Sequence, residues 1–129
     1  MSLVVLDTNV LVSSLWNQDG LPSKVVKMVM EKQVTACYDY GIINEYNQVL
    51  FRPKFAFSPS DVLDLLNFIQ STGFSVIAKP SSISFSDESD RKFYDVAKAC
   101  NAFLVTGNKR RFPLEHNIVT PFEFINKEL

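Results

Sequence analysis

Three acidic stretches have the residue types to do chemistry: Asp7, directly behind a Val-rich apolar run; Glu45; and Asp87-Glu88-Ser89-Asp90. Brought from separate parts of the chain to one place, these carboxylates would repel one another unless a cation neutralised them. His116 is the sole histidine, which excludes a His-rich zinc site and disfavours a Ser-His-Asp triad. Cys37 and Cys100 lie far apart among apolar neighbours, neither a CxxC zinc pattern nor a disulfide framework, and read as reduced core residues. With oxygen ligands alone the favoured ion is Mg²⁺ or Mn²⁺. An ion held that way activates a water and stabilises the charge that grows on a phosphodiester. Fourteen acidic residues allow many such groupings, so each must first be placed on an element.

Residues 3–6 have the look of a strand buried on both faces, ended by Asp7-Thr8-Asn9. A short helix is expected over 10–16, closed by Asn17-Gln18-Asp19-Gly20, and a longer one from Pro22-Ser23 to residue 32. Residues 34–38 form a second strand, and Asp39 caps a helix over 40–51 that Arg52-Pro53 breaks. Val62, Leu65, Leu66 and Ile69 mark a further helix opened by Ser58-Pro59 and stopped by Gly73. An extended stretch is expected over 74–77, and 79–86, with Pro80 and four serines, is a loop within the domain. A helix over 89–100, a strand over 102–106, a turn or short helix over 107–112, a strand over 117–120 and a helix over 121–127 complete the chain. This alternation predicts an α/β fold with a mainly parallel sheet, whose ligands gather at the carboxyl ends of the strands.

That rule singles out Asp7, which follows the first strand, although Asp7 or Thr8 would also serve as an ordinary helix cap. Ile42, Ile43, Tyr46, Val49 and Leu50 form an apolar stripe, and Glu45 falls about 100° from its centre. From that border it can lean over the sheet edge or point at water. Asp90 lies about 70° from the stripe of Phe93, Val96, Ala97 and Cys100, again at a border. Asp95 lies about 150° away, where only solvent contact is expected. Asp87, Glu88 and Asp90 also suit a helix N-terminus electrostatically. Thr106 and Asn108 follow another strand and could hold a water or ligand, or simply make the turn.

A length of 129 residues suits one domain, 1–129. The formal net charge of -1 excludes a bulk-charge nucleic-acid binder but leaves room for a local basic patch. No signal-peptide pattern and no run of roughly 18–20 apolar residues is present, so a cytoplasmic protein with no membrane association is expected. Trp16, Phe51, Phe55 and Phe57 would be core residues or, if exposed, a partner groove or dimer face.

The chain resembles the PIN-domain proteins, in particular the bacterial and archaeal branch described as toxin components of toxin–antitoxin pairs. The resemblance rests on Val4-Val5-Leu6-Asp7-Thr8-Asn9-Val10-Leu11-Val12-Ser13, on Asn44-Glu45-Tyr46 followed by Arg52-Pro53-Lys54-Phe55, and on Asp87-Glu88-Ser89-Asp90-Arg91-Lys92-Phe93. Leu104-Val105-Thr106-Gly107-Asn108 and Thr120-Pro121-Phe122-Glu123-Phe124 complete it. Each motif alone is weak, but five in order over one short chain are specific.

The resemblance implies a three-layer α/β/α domain and a Mg²⁺- or Mn²⁺-dependent nuclease, usually acting on RNA. It assigns the metal-holding and catalytic carboxylates to Asp7, Glu45 and Asp90, with Thr8, Asn9 and Thr106 as supporting polar groups. The family often places a fourth Asp in the Thr-Gly-Asp position. Here that residue is Asn108, which keeps an oxygen ligand but loses a charge that Asp87 could replace through a water. Lys109-Arg110-Arg111 would lie beside the site and, with Arg91, Lys92, Arg52 and Lys54, is a candidate to hold the RNA backbone. The resemblance further implies a homodimer and an antitoxin segment over the active-site groove. Asn108 favours an alternative, a PIN-like scaffold with little catalysis that acts by binding RNA or protein. A phosphotransfer domain with Asp7 as acceptor fits worse, because Asn9 stands where a second Asp would be wanted.

Overall fold

The structure, a computed structural model, describes residues 2–128, so the two terminal residues of the expected 1–129 domain lie outside it. In chain order the elements are β1 (Ser2–Leu6), α1 (Thr8–Trp16), α2 (Leu21–Met30), β2 (Val34–Tyr38), α3 (Tyr40–Leu50) and α4 (Pro59–Thr72). They continue with β3 (Phe74–Ser75), α5 (Arg91–Cys100), β4 (Phe103–Val105), β5 (Ile118–Val119) and α6 (Pro121–Glu128). Short 3-10 turns cover Pro53–Phe55, Glu88–Asp90 and Lys109–Arg111.

The five strands form one sheet in the order β3-β2-β1-β4-β5, and every neighbouring pair is parallel. β1 is central, with Val4 opposite Ala36 on β2 and Phe103 on β4. Successive strand residues point to opposite faces. Val4, Val5 and Leu6 are all at most 1% exposed, so helices cover both faces and the molecule has three layers. This is the fold class expected from the alternating pattern. α5 packs across β2, β1 and β4, while α6 packs on β4 and β5 and reaches α2.

The chain builds outward from β1 through β2 to β3, then returns to the other side of β1 for β4 and β5. The order therefore reverses between β1 and β4. In an open parallel sheet that reversal leaves a crevice beyond the carboxyl ends of the two strands. Here the crevice opens at Asp7 and Thr106, the residues that immediately follow β1 and β4.

Several side chains hold the edge in place. The hydroxyl of Tyr46, buried on α3, donates to the Leu6 carbonyl at the end of β1, tying α3 to the strand that carries Asp7. Asp39 caps α3 by accepting from the Ile42 amide at 2.8 Å, as expected. Gly73 ends α4 at a point of close approach. A Cβ there would stand 2.4 Å from the Ala36 carbonyl oxygen and 2.6 Å from that of Ile69.

Asp95 corrects an expectation, since it is buried and not in solvent contact. The segment before α5 folds over that side of the helix, and Asp95 accepts from the Ser81 amide at 3.2 Å. Arg91 pins the same segment, donating to the carbonyls of Ser81 at 2.6 Å and Ile83 at 2.7 Å, with Glu88 on its other edge at 2.8 Å. A helical wheel treats a surface loop as water and so cannot register this cover. Cys37 and Cys100 are both free thiols, Cys37 buried and Cys100 half-buried. Burial, with Cys100 beside it, pushes the Cys37 thiol up to about 12.

Candidate active site

Asp7 stands at the N-cap of α1, yet its side chain makes no capping bond. Its backbone amide instead extends the sheet, donating to the Val105 carbonyl at 3.0 Å. The carboxylate, in a residue 2% exposed, turns toward β4 and accepts from the Thr106 hydroxyl at 2.8 Å. Thr106 is fully buried and also accepts from the Asn108 amide at 3.0 Å, so its hydroxyl proton is committed to Asp7. Asn9 closes the other side, its side-chain oxygen accepting from the Gly107 amide at 3.1 Å. These bonds lock the start of α1 to the turn after β4.

Asp90 arrives from the short turn that precedes α5. It too occupies a helix N-cap without a capping bond, and it is 5% exposed. One guanidinium nitrogen, Arg111 Nη2, donates to Asp7 Oδ2 and lies 3.3 Å from Asp90 Oδ1. Two nearly buried carboxylates from distant parts of the chain thus share a single cation.

Glu45 reaches the same edge from α3. Thr8 donates to one of its oxygens, and Lys92 Nζ lies 2.7 Å from the other. Of the two positions open to a border residue, it takes the inward one.

The electrostatics record the crowding. Burial raises the Asp7 carboxyl above its ordinary range; Arg111 and the Thr106 hydroxyl oppose that shift, and Glu45 adds to it. Burial also pushes Asp90 up to about 6, against Arg111 and with the help of Asp7, Asp87 and Glu45. The negative charge of Glu45 is therefore felt at both Asp7 and Asp90, and that of Asp7 at Asp90. Such a set, with its excess negative charge and oxygen-only donors, fits a hard divalent cation. Among the described residues no three His, Cys, Asp or Glu side chains form a ready-made cage.

The other expected site residues are placed unevenly. Asp87 is exposed and accepts from the Ser89 amide and hydroxyl, bonds that hold its carboxyl below the ordinary range. Asn108 uses its side-chain oxygen to cap the next turn, accepting from the Arg110 amide at 3.3 Å. The basic run divides into three. Arg110 is exposed, Lys109 lies 3.1 Å from Glu123, and Arg111 turns inward onto the carboxylates. Arg91 is committed to the loop described above, and Lys92 to Glu45. Arg52 and Lys54 are exposed beyond the C-terminal end of α3. The bridging role of Arg111 and the contacts of Thr8 and Lys92 with Glu45 were not legible in the sequence, because each joins residues 21 or more positions apart.

A parallel α/β/α sandwich with clustered carboxylates at its topological switch point defines a class of site suited to phosphodiester chemistry. The family model of the PIN domain matches residues 3–110, and the chain belongs to that family, whose members are generally nucleases. It is also similar to the uncharacterized protein MJ1680 of Methanocaldococcus jannaschii, with 30% identity over 142 aligned positions that cover 96% of this chain and 90% of the relative.

Proposed function

We propose that the protein is a metal-dependent endoribonuclease that hydrolyses RNA phosphodiester bonds at the edge formed by Asp7, Glu45 and Asp90. The observation that carries this reading is the inward turn of three carboxylates from β1, α3 and the start of α5, two of them nearly buried and spent on no helix cap. Folded chains rarely bury acidic groups together without a cation to compensate them.

Asp7 and Asp90, with Glu45 beside them, would hold Mg²⁺ or Mn²⁺. When bound, the ion supplies an activated water and neutralises charge on the phosphodiester. The chain's own groups do the rest. The Thr106 hydroxyl fixes the rotamer of Asp7. Thr8 and Lys92 fix that of Glu45, whose carboxylate would serve as the acceptor for a proton given up by the water. Asn108 holds the turn that positions Thr106 and Arg110, so an Asp at that position is not required to build the edge. Arg110, Arg52 and Lys54 are exposed cations available to the RNA backbone.

The finer reading is that this is the toxin of a toxin–antitoxin pair, acting as a homodimer. Trp16, 66% exposed, meets Phe55 and Phe57 edge-on, and those two rings stack at 5.3 Å. An exposed tryptophan backed by two half-buried rings is a natural face for a second copy. Incubating a mixed single-stranded and structured RNA pool, and DNA of the same sequences, with Mg²⁺, Mn²⁺ or EDTA tests the activity. Cleavage of RNA in metal and none in EDTA is expected. A well-folded protein that leaves both nucleic acids intact with either metal favours the binding scaffold.

A further inference from the structure

We infer that Arg111 is a tethered counter-cation that holds the metal-free carboxylates together and is displaced from them when a divalent ion binds. This rests on reading the edge as a metal centre. The first observation is positional. Arg111 Nη2 sits between Asp7 Oδ2 and Asp90 Oδ1, two oxygens that a shared ion would also use. An ion seated between those two oxygens would compete with the guanidinium for the same position and the same negative charge. One arginine also leaves a net negative charge on the pair, whereas a divalent ion cancels it.

The second observation is independent of the first. Arg111 Nε is buried and has no hydrogen-bond partner among the described residues. Arginine in a permanent carboxylate pair commonly engages through a two-pronged fork. Here one prong serves both carboxylates, and the Nε donor carries the penalty of a buried, unsatisfied group. The seat is good enough to quench repulsion and too poor to be final. The Arg111 side chain is 33% exposed and stands on a three-residue turn, so it has a way out. Once released, its planar donors match a phosphate and lie at the mouth of the same edge.

Calorimetric titration of Mn²⁺ into the wild-type protein, Arg111→Gln, Arg111→Lys and Asp7→Asn tests the inference, with thermal melts of each in EDTA and in Mn²⁺. Arg111→Gln is expected to bind Mn²⁺ about tenfold more tightly, a coupling of ordinary size between two competing ligands. It should also melt lower than wild type in EDTA and gain more from Mn²⁺. Arg111→Lys, which keeps a charge but loses the planar bridge, should fall between the two. Equal or weaker Mn²⁺ binding by Arg111→Gln, beside a wild type whose binding is lost in Asp7→Asn, overturns the inference and leaves the metal centre standing. Failure of every variant to bind Mn²⁺ overturns both. If the Gln variant does not fold, the Arg111 Nε–H resonance of the wild-type protein decides. It should shift as Mg²⁺ saturates the site, and an unmoved resonance contradicts displacement.

Discussion

Asp7 and Asp90 do at this edge what isolated carboxylates avoid: both are nearly buried, and burial raises the affinity of each for a proton, with Asp7 adding to the effect at Asp90. Thr106 is the small residue on which that arrangement turns. Its hydroxyl donates to Asp7 and accepts from the Asn108 amide, so Thr106→Val leaves Asp7 Oδ2 with Arg111 alone and takes the acceptor from the Asn108 amide. Loss of about 1–3 kcal/mol of stability is expected. Activity should fall further than stability accounts for, because Asp7 loses its fixed rotamer. Melting and single-turnover cleavage on the same preparation check the two effects.

The Asp90 carboxyl, pushed up to about 6, gives a sign for pH. The folded protein holds this proton more tightly than the unfolded chain. In the metal-free protein this group's contribution to stability is therefore present at low pH and falls as pH rises from the unfolded Asp range toward 6. Metal binding needs the carboxylate and runs the other way. Mn²⁺ affinity should weaken by up to about tenfold per unit as pH drops below 6. Calorimetry at pH 5, 6 and 7 checks it, and a flat affinity across that range contradicts the site.

At the scale of elements, the strand–helix alternation and the position of Asp7 at a strand end were legible because both are local signals. Apolar runs, caps and breakers sit within a few residues of what they determine. β2 and the Asp39 cap of α3 appear where their residues predict them. The side of α5 that holds Asp95 was misjudged because its cover comes from a loop packed by Arg91, a contact with no periodicity. The inward turn of Glu45 could be framed only as one of two options, since a border position does not specify a partner. Nor could the basic run be divided by eye: Lys109, Arg110 and Arg111 are chemically similar neighbours, and only the tight turn sends them three ways.

Gly73 shows how closely these elements meet. Gly73→Ala would drive a methyl into two backbone carbonyls where α4 meets the strands, with no flexible side chain to yield. A loss of about 1–3 kcal/mol is expected, with β3 disturbed most. Chemical denaturation measures the loss, and a neutral result would mean that α4 ends with more slack than the packing implies.

At the scale of the molecule, the chain carries almost no net charge, so any affinity for RNA must come from local cations and from the metal edge. No helix among the described residues is long and apolar enough to cross a membrane. Trp16 is 66% exposed and meets the half-buried Phe55 and Phe57 edge-on, at the face proposed for a second copy. If the proposed homodimer uses this face, Trp16→Ala leaves the fold intact and moves the sedimentation coefficient toward that of a monomer. An unchanged coefficient places the dimer face elsewhere or excludes a dimer.

The measurement that bears most directly on the central claim is single-turnover RNA cleavage in Mn²⁺ by the wild-type protein, Asp7→Asn and Asp90→Asn, each first shown to be folded by circular dichroism. A carboxylate edge that works through a bound cation predicts cleavage by the wild type, its loss in EDTA, and a fall of at least about a hundredfold in both variants. Cleavage by Asp7→Asn at the wild-type rate would contradict it and put the chemistry somewhere other than the crevice between β1 and β4.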